Sequence, residues 1–134
     1  MSQSDQPLSI VQRAYRCFEA GDMSGLMALI DAELDYIEAG QPAQIPWAGH
    51  FKGLEGFAQW LTTNQEHLDD SRILPEDFVT EGNRVVMFGR ISAKVRRTGR
   101  PFDSHLAIAF TVADGRLRTI RVYQDTAALR DAMA

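Results

Sequence analysis

Near Ser71 the recurrence of apolar residues changes from steps of three and four to steps of two, and no other feature constrains the fold as much. Before the switch, Leu8, Val11, Ala14, Tyr15 and Phe18 form a helical stripe that Gln6-Pro7 introduces and Gly21 stops. Asp22 is placed to cap a second, shorter helix carrying Met23, Leu26, Met27, Leu29 and Ile30 and ending near Asp31. Residues 34–39 read as a short strand, and Gly40, Pro42, Pro46 and Gly49 make the stretch up to Gly53 a long loop. Leu54, Phe57, Ala58, Leu61 and Leu68 then mark a third helix of about four turns. After the switch come four strands, 72–80, 84–97, 102–113 and 116–124, joined at Gly82-Asn83, Thr98-Gly99 and Asp114-Gly115. Asp-Gly between two alternating runs favours a type I′ hairpin turn, whose twist matches paired antiparallel strands. Asp125 caps a terminal helix over 126–133. Helices first and an antiparallel meander afterwards make the fold class α+β.

At 134 residues the chain has the size of one domain, 1–134, with no repeat or linker to divide it. Its formal net charge of -4 argues against nucleic acid or an anionic membrane as partner, because both require clustered positive charge. The one basic run, residues 94–97 with Arg100, reads as a solvated strand face beside a turn. A lone cysteine, Cys17, lies among apolar helix positions and has no partner for an internal disulfide, which suits the reducing cytoplasm. Residues 1–8 are polar and lack an apolar leader core, and no apolar run reaches the roughly 18 residues that span a bilayer. His50 and His67 lack metal-ligand spacing, so no metal is expected. No Gly-rich phosphate loop or Ser-centred elbow occurs, and no cofactor is expected either.

The strand 102–113 places Phe102, Leu106, Ile108, Phe110 and Val112 on one face and Asp103, His105, Ala107, Ala109 and Thr111 on the other. Small residues leave room against the helices, so that side is expected to look into a pocket. The large residues are expected on an outer sheet face covered by a second copy of the chain, a homodimer; the competing arrangement is a monomer with those residues against the third helix.

Several motifs, taken in order, resemble the nuclear transport factor 2-like superfamily, especially its SnoaL-like and ketosteroid isomerase-related bacterial members. They are Glu19-Ala20-Gly21-Asp22, the run from Ile45-Pro46-Trp47 through Gly49-His50-Phe51-Lys52-Gly53, Asp114-Gly115-Arg116-Leu117, and Val122-Tyr123-Gln124-Asp125-Thr126. The resemblance covers nearly the whole chain. It implies a cone-shaped, strongly curved, mostly antiparallel sheet closed by three N-terminal helices, with a ligand cavity in the cone and usually a dimer. It does not imply one chemistry, since the superfamily includes isomerases, cyclases, hydrolases, dehydratases and adaptors.

Ketosteroid isomerase chemistry needs an Asp base with a Tyr and a protonated Asp for the oxyanion. Gap-free alignment puts those roles on Ala14, Ala39 and Ala107, which move no protons. Tyr15 and Glu38 stand one residue away, so a register slip would restore two of the three roles. Epoxide hydrolysis of the limonene type resembles a second option, but its final-strand carboxylate is missing before Asp125, which serves as a helix cap. What survives is a SnoaL-like protein that binds a small apolar, oxygen-bearing molecule. Acid-base chemistry is then assigned to His105, with Asp103 orienting it, because a histidine exchanges protons near neutral pH. Tyr15, Tyr36, Trp47, Trp60, Ala107, Ile120, Val122 and Gln124 complete the expected ligand lining. The alternative is a noncatalytic ligand-binding or protein-interaction domain of the same fold.

Overall fold

The elements run α1 (Pro7–Ala20), α2 (Met23–Ala28), β1 (Ile30–Glu38), β2 (Gly49–Lys52), α3 (Gly53–His67), β3 (Leu68–Glu81), β4 (Arg84–Val95), β5 (Pro101–Ala113), β6 (Arg116–Gln124) and α4 (Thr126–Met133). This is a computed structural model, and it describes residues 6–134. Residues 1–5, part of the stretch from which no leader is expected, lie outside the described residues. All six strands join one sheet in the order β2-β1-β6-β5-β4-β3. Neighbours are antiparallel except β1 and β6, which run parallel. The meander β3 to β6 is the one expected from the alternating half of the sequence. The sheet curls without closing, so β2 and β3 remain edges. Of the three helices expected at the N-terminal end, two precede the sheet and α3 enters between β2 and β3.

Local chemistry explains most boundaries. Gly21, at φ 72°, takes the left-handed position after α1, and its N–H returns to the Phe18 carbonyl. The Asp22 carboxylate accepts from the Gly25 N–H at 2.9 Å, and Asp125 accepts from Ala128 N–H at 3.0 Å. Asp114 and Gly115 both have positive φ, 52° and 76°, as a type I′ turn requires. Two expectations move. The second helix ends at Ala28 because Ile30 already pairs with Leu117. The long loop contains the four-residue strand β2, whose Phe51 sits opposite Tyr36; four residues are too few for alternation to show.

The basic turn after β4 is not simply a solvated face. Thr98 Oγ1 donates to the Ala132 carbonyl at 2.8 Å, Arg100 Nη1 to the Asp131 carbonyl at 3.0 Å, and Arg97 to the Met133 carbonyl. These bonds satisfy the carbonyls that the last turn of α4 leaves open and pin that helix to the sheet.

The principal correction concerns β5. Phe102, Leu106, Ile108, Phe110 and Val112 are buried on the concave side, while Asp103 and His105 are exposed on the convex side. Ala107, Ala109 and Thr111 also face outward and are half-buried. The physical reason is the area at stake: large apolar side chains gain most by burial, and the concave side is where α1 and α3 cover them. Ile10, Val11 and Ala14 from α1 and Phe57, Trp60 and Leu61 from α3 supply that cover.

Candidate functional site

On β1, Leu34, Tyr36 and Glu38 alternate with outward residues and point to the concave side, where all three are buried. Glu38 is 4% exposed, so a carboxyl group sits among apolar neighbours. It is not left unpaired. Tyr36 Oη donates to its Oε1 at 2.8 Å, Trp60 Nε1 donates to the same oxygen at 3.0 Å, and Gln124 Nε2 donates to Oε2 at 2.8 Å. Three elements converge on one carboxyl: β1 brings Glu38 and Tyr36, α3 brings Trp60, and β6 brings Gln124. Ring contacts hold the donors in place, with Tyr36 and Trp60 at 4.8 Å and Phe57 stacked on Trp60 at 5.5 Å.

Burial disfavours the ionised carboxylate and pushes the Glu38 pKa up to about 7, against the pull of hydrogen bonds from Tyr36, Gln124, Trp60 and Trp47. Burial also raises the Tyr36 hydroxyl well above its ordinary range, and the neighbouring Glu38 adds to the effect. Tyr36 therefore remains a neutral donor while Glu38 titrates. Near neutral pH the cluster holds a carboxyl that can either give or take a proton.

The cavity beside this carboxyl has a volume of about 90 Å³, room for several waters on a scale where one takes about 10–15 Å³. Its walls are Ile108 and Phe110 of β5, Leu117, Ile120 and Val122 of β6, and Ile73 and Ile91 of β3 and β4. Tyr15, Tyr36, Trp47, Trp60, Ile120, Val122 and Gln124, all expected in the lining, border it, and so do Asn64 and Ser71. Trp47 is fully buried, with its ring 5.8 Å from that of His67.

Three expected residues do not border it. Asp103 and His105 stand on the convex face, where Arg90 Nη2 donates to Asp103 Oδ1 at 2.7 Å and Arg90 Nη1 lies 3.2 Å from His105 Nε2. This exposed ion-pair group has no route to the cavity except through the sheet. Ala107 faces the same way, between Phe88 and Tyr123 on the adjoining strands. Glu38 was missed as the central group, although its two-residue spacing from Tyr36 and Leu34 puts a carboxylate in register with a buried stripe. The one-residue slip that brings Tyr15 and Glu38 inward matches the observed orientation, while the β5 residues flanking Ala107 on the inner side, Leu106 and Ile108, are apolar. No group of three or more candidate metal ligands occurs among the described residues. No helix among them is long and apolar enough to cross a membrane.

Comparison with known proteins agrees with this architecture. An NTF2-like protein from Burkholderia xenovorans LB400 superposes with a TM-score of 0.85 at 29% identity, covering 100% of this chain and 98% of that one. An NTF2-like protein from Burkholderia thailandensis E264 gives 0.88 at 25% identity, covering 96% and 98%. TerC, co-crystallised with polyporic acid, gives 0.87 at 20% identity, covering 95% and 97%. No curated protein matches the chain. A family model described as a SnoaL-like domain matches residues 11–120. The chain belongs to the SnoaL-like domain family.

Proposed function

We propose that the protein binds a small, largely apolar, oxygen-bearing molecule in the concave cavity and carries out acid-base chemistry on it with Glu38, the role first assigned to His105. The observation that carries this reading is a buried carboxyl with a pKa of about 7, held by three aimed donors at the edge of an apolar cavity. Of the donors aimed at a particular oxygen, Oε1 takes two and Oε2 one, which makes Oε2 the oxygen we assign to a ligand hydroxyl or to a proton drawn from carbon. Tyr36, Trp60 and Gln124 are positioning residues: they fix the carboxyl and stabilise its charge when the proton leaves. A protein of the same fold was co-crystallised with polyporic acid, which supports an organic ligand here.

Native mass spectrometry of the purified protein tests the reading. A retained small molecule at one copy per subunit, converted by the native protein and bound but unconverted by Glu38→Gln, is the expected result. Conversion at an undiminished rate by Glu38→Gln removes the carboxyl from the chemistry, and binding without any conversion leaves a carrier.

A second reading concerns the convex face, where Phe88 (47% exposed), Ala107 and Tyr123 (52% exposed) form one cross-strand row. We propose that this row, in place of the large β5 residues first assigned to it, meets a second copy of the chain. Light scattering should give a dimer mass for the native protein and a monomer mass for Phe88→Asp combined with Tyr123→Asp; an unchanged mass refutes it.

A further inference from the structure

Two hydroxyls that border the cavity have no hydrogen-bond partner among the described residues: Tyr15 Oη and Ser71 Oγ. Buried polar groups almost always have partners, so two orphans bordering one cavity call for an explanation. Both are held in place by the fold. Tyr15 makes edge-on contacts to Phe110 at 6.0 Å and Phe78 at 6.3 Å, which fix its ring on the β5 and β3 side. Ser71 sits in a bulge of β3: Asp69 pairs with Lys94 and Arg72 with Ser92, leaving Asp70 and Ser71 opposite Ala93 alone. Asp70 has φ 55°, the left-handed turn that lets the strand absorb the extra residue. Bulges re-aim side chains, and this one directs Ser71 at the cavity wall.

Sheet geometry separates this pair from the Glu38 cluster. Glu38 lies on β1 and Ser71 on β3, with β6, β5 and β4 between them at about 4.8 Å per step, yet both border the one cavity. Between the two positions the wall is apolar. Tyr15 and Ser71, with Phe18 and Ile73, also border an adjoining hollow that adds Glu19, Asp70 and Arg72. Glu19 and Arg72 form an ion pair of 2.9 Å there, joining the end of α1 to the bulge. The two hydroxyls thus stand at the neck between the apolar cavity and a charged vestibule.

We infer that Tyr15 and Ser71 form a second polar station that recognises an acceptor oxygen on the end of the ligand opposite Glu38, so that the ligand class is a compact ring molecule with oxygen functions at both ends. The inference rests on the proposed cavity reading and narrows it. Tyr15 donates to a carbonyl, ether or hydroxyl oxygen, and Ser71 supplies a second donor or an acceptor for a hydroxyl. Glu38 Oε2 takes the hydroxyl at the other end. An apolar ring with one oxygen would leave the neck hydroxyls unpaired, which is the basis on which the site would discriminate.

The test uses a matched pair of probes, 4-hydroxyacetophenone and 4-ethylphenol, which share the phenol and differ in the far-end carbonyl. Calorimetric affinities are measured for the native protein, Tyr15→Phe and Ser71→Ala. Tyr15→Phe is expected to lower the ratio of 4-hydroxyacetophenone to 4-ethylphenol affinity about fivefold, with a smaller drop for Ser71→Ala, while 4-ethylphenol binding changes less than about twofold. A ratio unchanged in both variants, with both probes still bound, overturns the second station and leaves the cavity reading standing. Failure of 4-hydroxyacetophenone to bind the native protein removes the cavity reading and the station with it. Melting of the free protein separates a binding from a structural role: losing an unpaired buried hydroxyl should leave the Tm of Tyr15→Phe unchanged or raised. A lowered Tm shows that the hydroxyl has a structural partner and overturns the inference.

Discussion

The two faces of β5 carry opposite kinds of chemistry within one strand. On the concave face, Leu106, Ile108 and Phe110 lie under the helices and wall a cavity in which one buried carboxyl, Glu38, is the titrating group. On the convex face, Asp103 and His105 share Arg90 in an exposed ion-pair group of the kind that contributes little to stability. Residue type alone favours the convex face as the active one, since it owns the histidine. Burial reverses the ranking: desolvation moves a buried carboxyl into the working pH range, whereas Asp103 and His105 stand exposed on the convex face, each against Arg90.

That contrast can be broken by substitution. The largest effect should come from Phe110→Ala, which removes a buried ring from the concave wall and the edge-on partner of Tyr15; a loss of about 4 kcal/mol is expected in denaturant unfolding. A loss below about 1 kcal/mol would mean that the ring is not part of the packed interior.

Next in size is Glu38→Gln, read as stability against pH. The carboxyl has a folded pKa of about 7 against 4.5 unfolded, so the folded state holds its proton longer. Native stability should be complete below about pH 4.5, fall as pH rises toward 7, and level off above it. A glutamine side chain at this position cannot ionise, and Gln124 can turn its amide to match it. The variant should therefore be more stable by up to about 3 kcal/mol at about pH 8 and little changed at about pH 4. Parallel stability curves for the two proteins across that interval would contradict the buried titration.

The smallest effects belong to the convex face. Asp103→Asn and His105→Ala should each change stability by less than about 0.5 kcal/mol and leave conversion of the retained ligand intact. Loss of conversion in His105→Ala, with the fold preserved, would return the chemistry to that face.

Much of the fold was legible because periodicity is a local property. The helical stripe ending at Gly21, the Asp114-Gly115 turn and the span of β6 follow from spacing and turn chemistry within a few residues. Which face of a strand looks inward is not local. The alternation in β5 is equally consistent with small residues facing a hollow or large ones facing the helices, and only the positions of α1 and α3 decide between them. The site was half-legible for the same reason. Tyr36, Trp60 and Gln124 stood out as polar or aromatic residues in apolar registers, but the convergence of β1, α3 and β6 on Glu38 joins positions up to 86 residues apart. Ser71 was invisible, since a bulge breaks the alternation that would have aimed it.

The most direct test of the account is the titration of the Glu38 carboxyl itself, followed by carbon-13 NMR of the native protein with Glu38→Gln used to assign the resonance. A midpoint near 7 is the predicted result. A midpoint near 4.5, the ordinary value for an exposed glutamate, would contradict the claim that this carboxyl is the acid-base centre of the cavity.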